Sequence, residues 1–273
     1  MIEALVLAAT LTLPPQQSDA VIGVTAVHLE SGRRISIRGG ERFPMGSVYK
    51  FPIGIAVLRQ VDSGKLSLTQ EVTVQPKDFY PRGWSPLRDE AKGQPVTRTV
   101  GQLLELMVSI SDNTASDVLL ALVGGPKAAT RPNVRIDRSE KEIMTDIAKD
   151  GDAAYGTDPR DTTTPDAMAD LLVSFWKTRE GLSPASHALL LKHLTDSPTG
   201  ERKLRAAVPE GWSVAHKSGM MPQTSNDVGI LTSPDGKHHI VIAVFAKQST
   251  SEYKVIDADV AAVTRAVIAH FLH

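Results

Sequence analysis

Phe43-Pro-Met-Gly-Ser-Val-Tyr-Lys-Phe-Pro-Ile-Gly-Ile-Ala-Val-Leu58 is the stretch on which the fold turns. A Pro/Gly turn runs up to Ser47 and a mostly apolar run follows. That pattern predicts a loop opening into a buried helix, with Ser47 in its first turn. Lys50 stands three residues on, so its side chain shares a helix face with Ser47. Backbone N–H groups at a helix start have no helical partner and can stabilise a developing oxyanion. A nearby amine with a lowered pKa can accept the hydroxyl proton. The pair reads as an activated nucleophile. The same spacing recurs at Ser174-Phe-Trp-Lys177 and Ser251-Glu-Tyr-Lys254, so spacing alone decides nothing. Ser174 lies in an amphipathic pattern and Ser251 in a polar loop; only Ser47 has a sharp turn before it and a buried helix after it.

Upstream, Val21–His28 is β-rich, Glu30-Ser-Gly-Arg33 is a turn and Arg34–Arg38 alternates, which together predict a hairpin. Downstream, the Ser47 helix should end near Asp62-Ser-Gly-Lys65. Residues 66–98 read as loop-rich, with prolines at 76, 81, 86 and 95. Helical spacing returns over Val100–Val108 and Thr114–Val123, the second stopped by Gly124-Gly-Pro126. Residues 128–165 are polar and irregular, long for a structureless connection and therefore a candidate functional loop. Helices are expected over Asp166–Arg179 and Ser183–Leu194. Strands are expected over Trp212–Lys217, Asp227–Thr232 and His239–Lys247, with turns at Asn226-Asp227 and Pro234-Asp-Gly236. Asp257–Leu272 closes the chain as a helix. Two strands near one end and three near the other flank a helical middle. This predicts an α+β fold: a five-stranded antiparallel sheet built from both chain ends, covered by helices, with an inserted all-helical domain. The division is 1–42 with 203–273 for the sheet domain and 43–202 for the helical domain, and a site belongs in the cleft between them.

Composition narrows the function classes. The 273 residues are 41% apolar and 22% charged with a formal net charge of −1, ordinary for a soluble globular protein. Neither the charge balance nor any basic patch points to nucleic acid or an anionic membrane surface. There is no cysteine, which excludes disulfides and thiolate chemistry. The eight histidines are scattered without ligand spacing, so no metal and no cofactor is expected. Ala4–Leu13 is an apolar run too short to span a membrane. It is read either as part of a secretory leader, although the basic start and Ala-x-Ala are missing, or as the first helix of the fold.

Two further polar clusters complete a constellation with Ser47 and Lys50. Ser111-Asp-Asn113 lies between two helices, where a hydroxyl and an amide can face a cleft. Lys217-Ser-Gly219 ends a predicted strand, and a glycine there lets a substrate backbone approach closely. Each cluster alone is usually a cap or a turn; the three in this order point to one site.

In these residues the chain, from Val21 to its end, resembles the class A serine β-lactamases of the penicillin-recognising group. Ser47-Val-Tyr-Lys50, Ser111-Asp-Asn113 and Lys217-Ser-Gly219 match its three motifs. Arg135-Ile-Asp-Arg-Ser-Glu140 resembles the start of the family's Ω-loop and Arg160-Asp-Thr-Thr-Thr-Pro165 its end. Trp84-Ser-Pro-Leu87 resembles the aromatic gate of the cleft.

The resemblance implies that Ser47 is the nucleophile, with the N–H groups of Ser47 and Met220 as the oxyanion hole. It implies that Lys50, or Glu140 through water, activates Ser47, and that Glu140 activates the deacylating water. Ser111 would relay a proton to the leaving nitrogen and Lys217 would set the positive charge. Asn113, Trp84, Ser218, Gly219 and Met220 would contact substrate, and Arg138 and Asp161 would close the loop as an ion pair. It further implies a small β-lactam as substrate, a monomer, and a periplasmic or secreted location.

The chain departs from the family in several places: Gly46 precedes the nucleophile where some members have a cysteine, and the helix after Gly124-Gly-Pro126 is shortened to Ala128–Asn133. Met144 stands where an asparagine usually helps to hold the water. The Ω-loop is longer. No arginine follows Lys217-Ser-Gly219 to bind the substrate carboxylate, and Lys203 is the candidate substitute. The leading function is β-lactam hydrolysis through an acyl-enzyme. The alternatives are a D-alanyl-D-alanine peptidase, which lacks the loop glutamate, and a sensor that stays acylated.

Overall fold

The computed structural model describes residues 11–272. The choice between a leader and a first helix therefore falls largely outside the described residues. Leu11 and Leu13 pack against the apolar cluster beneath the C-terminal helix.

Strand β1 (Val21–His28) is buried at seven of its eight positions, as a continuous apolar run in mid-sheet should be. Strand β2 (Arg34–Ile37) alternates between exposed and half-buried and forms an edge. After β3 (Phe43–Pro44) the chain makes a 3₁₀ turn over Gly46–Tyr49, and helix α1 (Lys50–Asp62) follows. The α-helix thus starts three residues later than Ser47, and the tighter turn brings the side chains at i and i+3 into line. From Lys50 to Leu58 every residue of α1 is buried, which makes it the central helix of its layer.

Residues 66–98, expected as loop, hold strand β4 (Glu71–Val74), helix α2 (Pro86–Ala91) and strand β5 (Val96–Thr99), with β4 and β5 paired. Pro86 starts an element rather than breaking one: it sits in the first turn of α2 behind the Ser85 cap. Helix α3 (Val100–Val108) begins with a Thr99/Gln102 capping box, and α4 (Asn113–Leu122) is capped by Asp112. The next helix, α5 (Pro126–Ala129), is a single turn.

The stretch expected to be irregular contains α6 (Glu140–Asp150) and α7 (Asp152–Thr157). Ser139 and Glu142 form a capping box at the start of α6, a signal readable in the sequence as Ser-x-x-Glu. Strand β6 (Thr162–Thr163) pairs with β3, and helices α8 (Pro165–Thr178) and α9 (Pro184–Thr195) follow.

Strands β7 (Ser213–Met221), β8 (Thr224–Thr232) and β9 (His239–Lys247) and helix α10 (Tyr253–Leu272) complete the fold. Asn226-Asp227 is not the expected turn. Both residues are fully buried inside β8, and the turn lies at Pro222-Gln223. Lys217-Ser-Gly219 accordingly lies within β7, not at its end.

Strands β1, β2, β7, β8 and β9 form one antiparallel sheet in the order β2-β1-β9-β8-β7, as expected. Helix α8 packs on β1 and β9, and α10 packs on β8 and β9. Strand alternation sends Ile22, Val24 and Ala26 to the cluster shared with α10, and Val27 to the cluster shared with α1. Strand β7 is the edge that faces the helices, and it packs against the 3₁₀ turn carrying Ser47.

Candidate active site

Lysine 50 lies at the centre of the polar constellation and is fully buried. Its amine donates to Ser47 Oγ at 3.0 Å, to the Ser111 carbonyl at 2.9 Å and to Asn113 Oδ1 at 2.5 Å. Glu140 Oε1 approaches the same nitrogen at 3.1 Å, out of line for a hydrogen bond, and Glu140 is 2% exposed. An ammonium has three N–H groups and no lone pair. With all three directed at oxygens, Lys50 can take a proton from Ser47 only after losing one, and Glu140 is within reach to receive it.

Ser111 is held in the left-handed region, φ 63°, where a residue with a side chain is strained. That conformation turns its carbonyl toward Lys50 and its hydroxyl toward Lys217, whose amine donates to Ser111 Oγ at 2.9 Å. The intervening Asp112 is structural. It caps α4 through Ala115 N and accepts from Leu87 N at 2.7 Å, which ties the loop carrying Trp84 to the start of α4. Trp84 itself is 58% exposed on the cleft rim, its indole N–H on the Ile110 carbonyl.

Lys217 is fully buried; desolvation, then the charge of Lys50, push its pKa well below the usual lysine range, while Asp227 and Glu140 oppose them. Gly219 faces the Ser47 turn so closely that a Cβ there would lie 2.5 Å from the Met45 carbonyl and 3.1 Å from Ser47 N. The missing side chain lets β7 lie against the turn, with Gly46 (φ 51°) beside Met220 N. On the next strand, Asn226 stands opposite Gly219 and donates to the Pro44 and Met45 carbonyls at 2.8 and 3.0 Å. It stitches the sheet to the turn and was read in the sequence only as a turn residue.

The glutamate is positioned by a network larger than the expected ion pair. Arg138 meets Asp161 at 2.6 Å, and also Asp146 at 2.6 Å and Asp158 at 3.1 Å. Arg138 and Asp161 are 5% and 2% exposed, and Asp161 also accepts from Asp137 N and Arg138 N. Removing one partner of a buried pair costs roughly 3–5 kcal/mol. Because Asp146 and Asp158 remain, Asp161→Asn should fall at the lower end. It should slow hydrolysis more than acylation, which rapid-quench kinetics separate. Equal losses in both steps would detach this pair from Glu140.

Asp117 was not anticipated. It lies four residues after Asn113 on the same face of α4 and accepts from Glu140 N at 2.7 Å and Lys141 N at 3.0 Å. The two N–H groups belong to the unsatisfied first turn of α6, so Asp117 fixes where the Glu140 backbone begins. Burial and the nearby Glu140 charge raise its pKa to about 7. A carboxyl raised in the folded state binds more protons folded than unfolded between about pH 4 and pH 7. Its contribution is therefore complete below the unfolded value of about 3.9 and lost as pH rises through about 7. Asp117→Asn should remove a loss on the order of 2–4 kcal/mol between pH 5 and pH 9. Urea unfolding of both proteins at the two pH values measures it; parallel pH dependences would assign the loss to other groups.

Lys203 does not stand free as a carboxylate clamp. It is 4% exposed, and its amine donates to the Asn226 carbonyl at 3.1 Å and the Gly219 carbonyl at 3.4 Å. It adds positive potential at the floor of the cleft. Met144 lies one turn after Glu140 on α6, half-buried. The other Ser-x-x-Lys serines are elsewhere: Ser174 pairs with Thr178 on α8, and Ser251 donates to Asp19. Ser47, Trp84, Ser111, Asn113, Glu140 and Met220 share one cleft of roughly 430 Å³, and Ser218 lines it too. Among the described residues no group of three His, Asp or Glu side chains is arranged to hold a metal ion.

Comparison with known proteins finds relatives over most of the chain. Residues 7–271 match the model of the β-lactamase enzyme family. The chain is 34% identical over 259 residues to β-lactamase VEB-1 of Pseudomonas aeruginosa, covering 90% of this chain and 85% of that protein. It is 33% identical over 255 residues to the extended-spectrum β-lactamase PER-1 of the same organism, covering 90% and 81%. The solved structure of a class A β-lactamase representing the last common ancestor of Gram-negative bacteria superposes with a TM-score of 0.83 at 37% identity, covering 93% of this chain and 95% of that one. A serine-hydrolase cleft between a five-stranded antiparallel sheet and a helical layer defines the class. The chain belongs to the β-lactamase enzyme family.

Proposed function

We infer that this protein is a class A serine β-lactamase that hydrolyses β-lactam antibiotics through an acyl-enzyme on Ser47 and so confers resistance. The observation that carries the reading is the contact of Lys50 with both Ser47 Oγ (3.0 Å) and Glu140 (3.1 Å) in one buried cluster.

Acylation starts when Lys50 has passed a proton to Glu140 and takes the Ser47 hydroxyl proton. Ser47 Oγ then attacks the lactam carbonyl, and the N–H groups of Ser47 and Met220 meet the oxyanion. The lactam C–N bond breaks as Ser111, which accepts a hydrogen bond from Lys217, delivers its hydroxyl proton to the leaving nitrogen; Lys50 replaces that proton with the one taken from Ser47, and Glu140 hands its own back to Lys50. For deacylation, Glu140 has returned its proton and is again a carboxylate. It draws a proton from water, which attacks the ester carbonyl, and Ser47 leaves with a proton returned through Lys50. Asn113 and Trp84 border the substrate, Gly219 lets it lie along β7, and Ser218 with Lys217 meets its carboxylate.

Glu140 beside Lys50 supports β-lactam hydrolysis over the peptidase reading, which lacks the loop glutamate, and over the sensor reading, which needs no base for water. Turnover of a chromogenic cephalosporin tests the choice: many turnovers per enzyme support the hydrolase, and a single stoichiometric burst supports the sensor. No described helix is long and apolar enough to cross a membrane. We further propose a monomer acting in the periplasm or outside the cell, and the two-part division at residues 42/43 and 202/203. Sedimentation and cell fractionation test the first two.

A further inference from the structure

Strand β7 places His216 on the same face as Ser218, and β8 places Asp227 directly opposite Ser218. His216 and Asp227 are both fully buried, with Nδ1 at 2.9 and 3.0 Å from the two carboxylate oxygens. On its other side, His216 Nε2 is 3.4 Å from Arg205 Nη2. A guanidinium can only donate, so Nε2 is the accepting side of this contact and Nδ1 is left to donate to Asp227.

Two glycines make the slot. A Cβ at Gly229, opposite His216, would lie 2.8 Å from the His216 Cβ. One at Gly200 (φ 70°) would lie 2.9 Å from the Ser218 Cβ, 3.2 Å from His216 Cε1 and 3.3 Å from an Asp227 oxygen. The segment from Ser197 to Arg205 therefore lies directly on the pair. Asp227 accepts from Leu204 N at 3.3 Å, and Arg205 donates to the Ser197 carbonyl at 2.8 Å. At the other end of that segment Thr199 Oγ1 meets Ser218 Oγ at 2.9 Å, and both residues line the cleft.

We propose that His216 and Asp227 are positioning residues that set the hydroxyl wall of Thr199 and Ser218 against which the substrate carboxylate binds. They reach no reacting atom. They fix the distance between the 197–205 segment and β7, and Thr199 becomes a second hydroxyl at the carboxylate subsite. Asp227 also supplies negative charge behind Lys217 and Lys203. The proposal rests on the reading of Ser218 and Lys217 given above.

Steady-state kinetics with benzylpenicillin and its carboxylate methyl ester test it. His216→Ala should raise KM for the acid about tenfold with kcat within about twofold, the signature of lost ground-state binding. The ester's parameters should not change. His216→Asn, which keeps an N–H donor near the Nδ1 position, should restore KM. If the alanine variant does not fold, His216→Leu against His216→Asn gives the same comparison. Acid and ester changing together, or no rescue by asparagine, would reduce the pair to core packing and overturn the proposal. Failure of the underlying site would look different: hydrolysis would survive Ser47→Ala.

Discussion

Ser47→Ala is expected to lower kcat for a penicillin on the order of 10⁶-fold, to the level left by binding and oxyanion contacts alone. The expectation follows from how Lys50 is held. Its three donors converge on Ser47 Oγ, the Ser111 carbonyl and Asn113 Oδ1, and Lys50 is fully buried. The turn at Gly46 and the bare Gly219 bring Ser47 against the β7 backbone, and the other hydroxyl near Lys50, Ser111 Oγ at 3.4 Å, is held by Lys217. The alanine variant should keep its fold, since Ser47 Oγ has Lys50 as its only hydrogen-bond partner among the described residues. Stopped-assay hydrolysis and circular dichroism on the same preparation check both halves.

Glu140→Ala has the second-largest expected effect: deacylation should slow ~10²–10⁴-fold, the usual worth of a positioned general base, while the acyl-enzyme still forms. The carboxylate is buried and lies 3.1 Å from Lys50 without an aligned hydrogen bond, so its oxygen is available to a water. Acylation should fall less, because Lys50 can also lose its proton through Ser111 Oγ, 3.4 Å away and lining the cleft, whereas among the described residues no carboxylate but Glu140 lies within 4 Å of Lys50 to serve the attacking water. Met144 one turn away offers only a weak sulfur acceptor, so deacylation should depend on Glu140 more heavily than if an amide shared the water. Pre-steady-state bursts followed by slow turnover would bear this out. Fast deacylation in the variant would point to Glu142, whose carboxylate the structure ties to Ser139 instead.

Much of this was legible from periodicity and motif. The β1–β2 hairpin, the buried α1, helices α3, α4, α8 and α9, and the antiparallel sheet all follow apolar spacing, because in each case burial and local propensity agree. The misreadings share a cause: polar sequence that the fold buries. Asn226-Asp227 looks like a turn, yet tertiary partners satisfy it, with Pro44 and Met45 accepting from one residue and His216 beside the other. The stretch holding α6 and α7 has little apolar periodicity, since Arg138 and three carboxylates take the place of a core. The Ser139-x-x-Glu142 box was the one local signal for it. Of the site, the three motifs and Glu140 were readable as a resemblance. Asp117, Thr199 and Asn226 were not, because their roles arise only when distant strands and helices meet.

The most direct measurement is the intact mass of the Glu140→Ala protein after exposure to benzylpenicillin, followed by tryptic mapping. Cleavage after Arg42 and Lys50 isolates Phe43–Lys50, in which Ser47 is the only serine. One added penicillin per chain is expected, carried by that peptide and absent when Ser47→Ala is combined with Glu140→Ala. An adduct that persists in the double variant, or that maps to any other peptide, would contradict it.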